Sequence, residues 1–120
     1  MAKILIAEDS QTSVEILRRA LADTGHELVV AKDGEHVESM IAAERPDLVI
    51  LDIILPKRNG FELCRALRKN PATENLPIIV LSSMDRESDR FWGLKQGANA
   101  YLTKPVEATE LVATVRELLA

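Results

Sequence analysis

The sequence predicts an α/β domain in which five parallel strands alternate with five helices. Five short aliphatic runs, most of them rich in β-branched residues, recur along the 120-residue chain, and amphipathic segments with helical spacing lie between them. The runs are too short for helices, and their apolar character is typical of strands covered on both faces. Strands that alternate with helices favour a parallel sheet with right-handed crossovers and helices on both sides.

Each strand and each helix is predicted from its own sequence pattern. The aliphatic runs predict strands at residues 4–7, 28–31, 48–51, 78–81 and 100–102. Four glycines lie at helix or loop edges and three prolines fall before or between the runs: Gly25, Gly34, Gly60 and Gly97, and Pro46, Pro71 and Pro77. Gln96-Gly97 is typical of a helix that ends with glycine in the left-handed conformation. Five helices are predicted from apolar stripes at Val14, Leu17 and Leu21; Val37, Met40 and Ile41; Leu63, Ala66 and Leu67; Phe91 and Leu94; and Leu111, Val115 and Leu118.

We expect a single domain over residues 1–120, because the chain has no internal repeat, low-complexity tract or linker-like stretch. For this alternation we predict the flavodoxin-like (βα)5 fold, a five-stranded parallel sheet of order 2-1-3-4-5 with helices on both faces. That order places the carboxyl ends of strands 1, 3, 4 and 5 side by side.

Composition narrows the class of protein. The chain is 47% hydrophobic and 28% charged, which is ordinary for a globular domain. Its net charge of −4 argues against direct binding to nucleic acid or to anionic membranes. Cys64 has no partner for an internal disulfide, and the apolar run near the N-terminus is too short for a signal peptide or a membrane span. We therefore expect a soluble, cytoplasmic protein without membrane insertion.

Polar side chains follow the predicted strands at the edge where open α/β sheets bind ligands. Asp52 is notable because it sits in the most apolar run of the chain, where an unpaired ionised carboxylate is costly. The full set is Glu8 and Asp9 after the first strand, Asp52 after the third, Ser82 and Ser83 after the fourth, and Lys104 after the fifth.

The residue types in this set are suited to binding a metal ion and a phosphoryl group. Carboxylates that lie close together repel one another unless a cation joins them. Oxygen ligands without His or Cys select Mg²⁺, which shares its remaining positions with water and phosphate oxygens. Lys104 adds a positive charge, and the Ser82 hydroxyl can donate to an oxyanion. The pattern indicates a carboxylate that accepts a phosphoryl group.

These residues together resemble the receiver domain of two-component response regulators, over the whole chain. The resemblance implies that Asp52 accepts a phosphoryl group from a histidine kinase, and that Ser82 and Lys104 contact the phosphoryl oxygens. It rests on Glu8-Asp9, on Asp52-x-x-Leu55-Pro56-x-x-Asn59-Gly60, and on Ser82, Tyr101 and Lys104-Pro105, all in the family's order and spacing.

The same resemblance implies a metal site and a switch. Glu8, Asp9 and Asp52 would hold Mg²⁺ together with the backbone carbonyl of Ile54. Tyr101 would turn inward on activation, with Ser82 as its partner in the switch. The peptide bond before the proline of Lys-Pro would be cis, as is usual in the family.

Some positions depart from the commonest family pattern. Ser82 replaces the usual threonine and keeps the hydroxyl, and Ser83 stands where a small residue is usual. Ile54 and Met84 occupy variable positions that influence hydrolysis of the acyl phosphate in the family. Both are apolar here and cannot orient a water molecule, so we expect slow autodephosphorylation.

Simpler interpretations of single residues stay open. Asp52 could cap a loop or simply pair with Lys104, and Glu8-Asp9 could cap the first helix. Ser82 could be an ordinary turn residue. Tyr101 could be a partly buried strand residue with its hydroxyl in water.

The fourth predicted helix carries the only tryptophan. Phe91 and Leu94 look like core residues, whereas Trp92 falls beside that stripe and is expected to be partly exposed. Trp92 then either packs at the side or contacts a partner on the face of helix 4, strand 5 and helix 5, which receivers commonly use. Cys64 is expected to pack as a small apolar residue in the third helix.

Three functions compete. The first is a signalling switch whose only catalysis is its own phosphoryl transfer and hydrolysis. The second is an aspartate-nucleophile phosphatase, but such enzymes carry Asp-x-Asp and this chain has Ile54 at the second position. The third is a flavodoxin-type cofactor carrier, but the loop after the first strand is acidic and lacks glycine. The sequence favours the switch.

Short runs suggest a subfamily. Residues 92–98 and 101–106 resemble PilH-like stand-alone receivers of pilus-motility or phototaxis systems. No output domain follows Ala120, so we expect action through protein contacts, with a histidine kinase or phosphotransfer protein upstream and a protein target downstream. A chemotaxis motor regulator, a phosphorelay shuttle and a receiver fragment of a larger regulator are alternatives.

Overall fold

The computed structural model describes the whole chain, residues 1–120, and contains every predicted strand and helix. The strands are β1 (Lys3–Ala7), β2 (Glu27–Ala31), β3 (Leu48–Leu51), β4 (Ile78–Ser82) and β5 (Ala100–Thr103). The helices are α1 (Gln11–Leu21), α2 (Val37–Glu44), α3 (Gly60–Lys69), α4 (Glu87–Lys95) and α5 (Ala108–Leu119), and a 3₁₀ turn covers Ala22–Thr24.

The strands form one parallel sheet of order β2-β1-β3-β4-β5, which confirms the flavodoxin-like topology. All residues of β3 and β4 are buried. In β2, only Ala31 is buried. The prediction of strands covered on both faces therefore holds only in part for β2, which lies at the edge of the sheet. Val29 packs against the core on one face and Leu28 and Val30 on the other, but all three are half-buried.

The two faces of the sheet carry separate hydrophobic layers. Side chains alternate along β1, so that Leu5 packs in one layer and Ile4 and Ile6 in the other. The layer containing Leu5 has 16 buried residues and the opposite layer has 11. Helices therefore cover both faces, as the alternation predicts. No helix has both the length and the apolarity required to cross a membrane.

Four of the five predicted helical stripes face the core. Their central residues are buried in α1, α2, α3 and α5, while Met40, Ala66 and Leu118 at the margins are half-buried. Cys64 is fully buried in α3, as expected. Gly97, in the left-handed region at φ 114°, follows the end of α4.

The prediction for α4 is wrong. Phe91 is 64% exposed and Leu94 is 44% exposed, so neither belongs to the core. The only buried residue of this helix is Gly93. α4 packs against the rest of the domain through Gly93, so that the neighbouring side chains of Phe91 and Leu94 face solvent. Trp92 is 47% exposed, in agreement with the expectation of partial exposure.

The Asn59-Gly60 pair closes the loop that follows β3. The Asn59 side chain accepts a hydrogen bond from Phe61 N–H at 2.7 Å and caps α3. The Gly60 N–H donates to the carbonyl of Ile53 at 2.8 Å. A Cβ at position 60 would lie 2.5 Å from the Asp52 carbonyl oxygen. Glycine therefore allows α3 to begin directly against the backbone of Asp52.

Candidate functional site

Four of the predicted site residues meet at the carboxyl edge of the sheet. Glu8 follows β1 and is 2% exposed, and Asp52 follows β3 and is 6% exposed. Ser82, fully buried, ends β4, and Lys104 follows β5. Because β1, β3, β4 and β5 are neighbours, the strand order itself brings these side chains together.

The Lys104 ammonium joins the two buried carboxylates. Its Nζ donates to Glu8 Oε1 at 2.5 Å and to Asp52 Oδ2 at 2.8 Å. Each remaining carboxylate oxygen accepts a backbone N–H, from Ser10 to Glu8 Oε2 at 3.0 Å and from Ile54 to Asp52 Oδ1 at 3.1 Å. One cation thus neutralises part of the buried negative charge, and every carboxylate oxygen of the pair has a hydrogen-bond donor.

The charged groups at this site shift one another's pKa values. Burial raises the pKa of the Glu8 carboxyl, against the opposing effect of the hydrogen bond from Lys104, and the charge of Asp52 adds to the rise. Burial lowers the pKa of Lys104, but the hydrogen bonds to Asp52 and Glu8 outweigh it, so that its pKa is raised. The site accordingly retains an ammonium ion between two crowded carboxylates.

Glu8 should make the stability of the fold depend on pH. Because its pKa is higher in the folded chain, the folded state binds more protons, and this contribution to stability falls as pH rises from about 4.5 through the folded pKa. We expect Glu8→Gln to lack this decline, so that its stability relative to wild type improves toward neutral pH. Urea unfolding from about pH 4 to 8 measures the difference, and a constant difference would refute the expectation.

The other two predicted metal ligands lie outside this ion-paired group. Asp9 is exposed and makes no ion pair, and the Ile54 carbonyl accepts no hydrogen bond. No three Asp, Glu, His or Cys side chains are close enough together to hold a metal ion by themselves. The donor set nevertheless consists only of hard oxygens, and two of them are unengaged, which suits Mg²⁺.

Ser82 and Tyr101 are linked through Met84. The Tyr101 ring points into the fold and is 2% exposed, and its hydroxyl donates to the Met84 carbonyl at 2.6 Å. The Met84 N–H donates to Ser82 Oγ at 3.3 Å. The Ser83 side chain is exposed. Burial raises the pKa of the Tyr101 phenol, and the charge of Asp89 adds to this. The interpretation of Tyr101 as having its hydroxyl in water is therefore wrong.

Ser13 is a contact that the sequence analysis missed. Ser13 lies in the first turn of α1, and its hydroxyl accepts a hydrogen bond from Lys104 Nζ at 3.3 Å. The N-cap of this helix is Ser10, so the interpretation of Glu8-Asp9 as its cap is wrong. Nothing in the sequence distinguishes Ser13 from any other serine in the first turn of a helix, so the contact is visible only in the structure.

The peptide bond between Lys104 and Pro105 is cis, as the resemblance implies.

Comparison with known proteins identifies the family. Residues 4–116 match the family model of the response regulator receiver domain. This chain belongs to that family. The fold and the order of the motifs described above agree with this membership.

Two relatives show how this receiver domain compares in length with similar proteins. PilH of Pseudomonas aeruginosa is 40% identical over 120 residues, which cover 100% of this chain and 99% of PilH. The response regulator MprA of Mycolicibacterium vanbaalenii is 42% identical over 117 residues, covering 98% of this chain and 50% of MprA. The receiver domain thus spans nearly all of PilH and about half of MprA.

Solved structures agree with the receiver fold. A chain from Chloroflexus aurantiacus described as a response regulator superposes with a TM-score of 0.94 at 37% identity, covering 98% of this chain and 97% of that one. The BeF3-activated receiver domain of Klebsiella pneumoniae RstA gives 0.88 at 34% identity, with coverage of 98% and 97%. The Mn²⁺-bound response regulator Rcp1 gives 0.82 at 28% identity, with coverage of 98% and 91%.

Proposed function

We propose that this receiver domain is a phosphorylation switch whose acceptor is Asp52. The observation that carries the proposal is the buried Asp52 carboxylate, held by Lys104 and placed at the same sheet edge as Ser82. Receiver domains interact with histidine kinases or phosphotransfer proteins, so the donor is a phosphohistidine. An Asp52 oxygen forms a bond to phosphorus while the bond from phosphorus to the imidazole nitrogen breaks, and the nitrogen keeps the electron pair.

Residues of the chain have distinct tasks in this transfer. Lys104 lies within 2.8 Å of Asp52 Oδ2, so its ammonium is placed to neutralise charge on the phosphoryl oxygens. The Ser82 hydroxyl is the nearby donor for one of those oxygens. The N–H of Ile54, which donates to Asp52 Oδ1, orients the carboxylate. Each of these groups is positioned before any phosphoryl group arrives.

Glu8, Asp9, Asp52 and the Ile54 carbonyl are the residues that would hold Mg²⁺. Receiver domains bind Mg²⁺ in general, and the Rcp1 structure holds Mn²⁺. When bound, the ion supplies positive charge that offsets the repulsion between the carboxylates and an incoming phosphoryl group. The exposed position of Asp9 and the unengaged Ile54 carbonyl leave both available to a cation.

The face formed by α4, β5 and α5 is the proposed output surface. Phe91, Trp92 and Leu94 are three of the six large hydrophobic side chains that are exposed on the molecule, and all three lie on α4. An apolar group of this kind on a soluble domain marks an interaction site. We propose a protein target there, in a cytoplasmic pathway. The similarity to PilH favours pilus motility over phototaxis or chemotaxis, and a role as phosphorelay shuttle or as part of a larger regulator is the alternative.

Beryllofluoride, which mimics a phosphoryl group on a carboxylate, tests the proposal. We expect it to bind only when Mg²⁺ is present and to change the amide spectrum around Asp52, Ser82 and Lys104. Asp52→Ala is the control and should not respond. Binding that needs neither Mg²⁺ nor Asp52, or an absence of binding in wild type, would contradict the function proposed here.

Ile54 and Met84 should make the acyl phosphate long-lived. Ile54 is exposed beside Asp52 and Met84 is half-buried, and neither side chain can orient an attacking water. We expect Ile54→Asn or Met84→Gln to speed phosphate loss by about tenfold or more. Timed release of phosphate after removal of the donor measures the rate. Ile16→Asn, at an exposed isoleucine on α1, is the matched control, and no acceleration over it would sink the idea.

A further inference from the structure

Gly93 occupies a position where only a residue without a side chain fits. It lies inside α4 and is the single buried residue of that helix. A Cβ at this position would lie 2.8 Å from Tyr101 Cδ2 and 3.0 Å from Cε2, and 3.5 Å from Phe61 Cε1. Glycine weakens a helix interior, so its presence here needs a separate reason. The Tyr101 ring supplies that reason, because it rests directly on the Gly93 backbone.

Tyr101 is held in this place by two further contacts. The Arg90 guanidinium donates from Nη1 to the Tyr101 carbonyl at 2.9 Å and lies 5.6 Å from the centroid of its ring. At the other end of the ring, the hydroxyl donates to the Met84 carbonyl at 2.6 Å. The ring is therefore fixed from α4 on one side and from the loop after β4 on the other.

That loop leads to the proposed phosphorylation site. The Met84 N–H donates to Ser82 Oγ at 3.3 Å, and Ser82 is fully buried at the end of β4. An unbroken series of contacts thus runs from Gly93 through Tyr101 and Met84 to Ser82. A shift of the ring would release the Met84 carbonyl and with it the hydrogen bond that orients the Ser82 hydroxyl.

We propose that Gly93 is a positioning residue, which places Ser82 for the phosphoryl group by leaving room for the inward Tyr101 ring. The part that concerns the phosphoryl group rests on the function proposed above.

The first test follows the ring alone. Tyr101 is the only tyrosine of the chain, so absorbance of the phenolate reports on it without ambiguity. Wild type should titrate above the ordinary phenol pKa of about 10, because the ring is buried. Gly93→Ala should titrate closer to the ordinary value because the ring is displaced. Ser88→Ala, at an exposed position on α4, should titrate like wild type. An unchanged titration in Gly93→Ala would overturn the proposal.

The second test is a double-mutant cycle with Tyr101→Ala. In the wild-type background, Gly93→Ala should lower the melting temperature and weaken beryllofluoride binding by about tenfold. In the Tyr101→Ala background it should raise the melting temperature, because alanine favours a helix once the ring is gone, and leave beryllofluoride affinity unchanged. Equal losses of affinity in both backgrounds would contradict the positioning role.

The two proposals fail in different ways. If wild type does not bind beryllofluoride, the proposed function fails, while the titration still decides whether Gly93 places the ring. If Gly93→Ala does not fold, Tyr101→Phe tests the same contacts from the other end, because it removes only the hydroxyl that holds Met84. We expect that variant to fold and to bind beryllofluoride more weakly, and wild-type affinity in it would overturn the proposal.

Discussion

Replacing Lys104 with methionine is expected to destabilise the receiver domain by roughly 2–3 kcal/mol at pH 7. The change leaves the Glu8 and Asp52 carboxylates, 3% and 8% exposed at their side chains, without their shared cation. Removing one partner of a buried ion pair costs about 3–5 kcal/mol, and we expect less because the Lys104 side chain is 23% exposed. Urea unfolding measures the loss.

The pH dependence of this loss identifies its cause. Without Lys104 at least one of the two carboxyl groups should take up a proton more readily, so the deficit of Lys104→Met should shrink as pH falls toward about 4. Lys104→Arg is the matched control, because it keeps the charge while changing the shape of the donor. A deficit that is the same at both pH values would mean that packing, and not charge, is what Lys104 contributes.

Replacing Asp52 with asparagine is expected to abolish phosphoryl uptake from a small donor such as acetyl phosphate. Asparagine retains an oxygen that can accept the Ile54 N–H, so the fold should persist, but its amide is not a nucleophile. We expect uptake to fall by at least about 100-fold, to the background of the assay. Intact-protein mass spectrometry after timed exposure to the donor and Mg²⁺ measures it.

Replacing Asp9 with asparagine is expected to weaken Mg²⁺ binding while leaving the phosphoryl acceptor in place. Asp9 lies next to Glu8 in sequence but is exposed and, unlike Asp52, makes no ion pair with Lys104, the cation proposed to neutralise the phosphoryl oxygens. We expect this variant to need a higher concentration of Mg²⁺ and to recover the wild-type rate once the ion is saturating. Recovery of Asp52→Asn under the same conditions would show that another residue is the acceptor.

Hydropathy predicts the strands correctly because the central strands of this sheet accept only apolar residues. Every residue of β3 is buried between two helical layers, and such a strand must be apolar throughout. The edge strand β2 has the same aliphatic character but is only half-covered. Its aliphatic run shows no sign of this lower burial, and only the predicted order 2-1-3-4-5, which places β2 at the edge of the sheet, accounts for it.

The error in α4 has a specific cause. Phe91 and Leu94 have the spacing of a buried stripe, but the spacing of apolar residues does not say which side of a helix meets the core. Here Gly93 is the point of contact, because the Tyr101 ring occupies the space that a side chain would fill. A glycine inside a helical pattern was the available signal. Its meaning depends on a residue of the next strand, which only the fold brings near.

The candidate site was predictable to the extent that it follows from strand order. Glu8, Asp52, Ser82 and Lys104 each follow or end a strand, so the order 2-1-3-4-5 suffices to bring them together. Pairing of Asp52 with Lys104 was one of the interpretations left open, and the structure contains it. The simultaneous pairing of Lys104 with Glu8, and its contact with Ser13, depend on side-chain reach and were not predictable. Roles in metal binding and phosphoryl transfer remain predictions.

The most direct test of the central claim is to locate the phosphoryl group on the chain. After treatment with acetyl phosphate and Mg²⁺, borohydride reduces an acyl phosphate to an alcohol, so a modified aspartate becomes homoserine and is visible in peptide mass spectrometry. The account predicts homoserine at position 52 and at no other aspartate. Modification of Asp9 in its place, or of no aspartate at all, would contradict it.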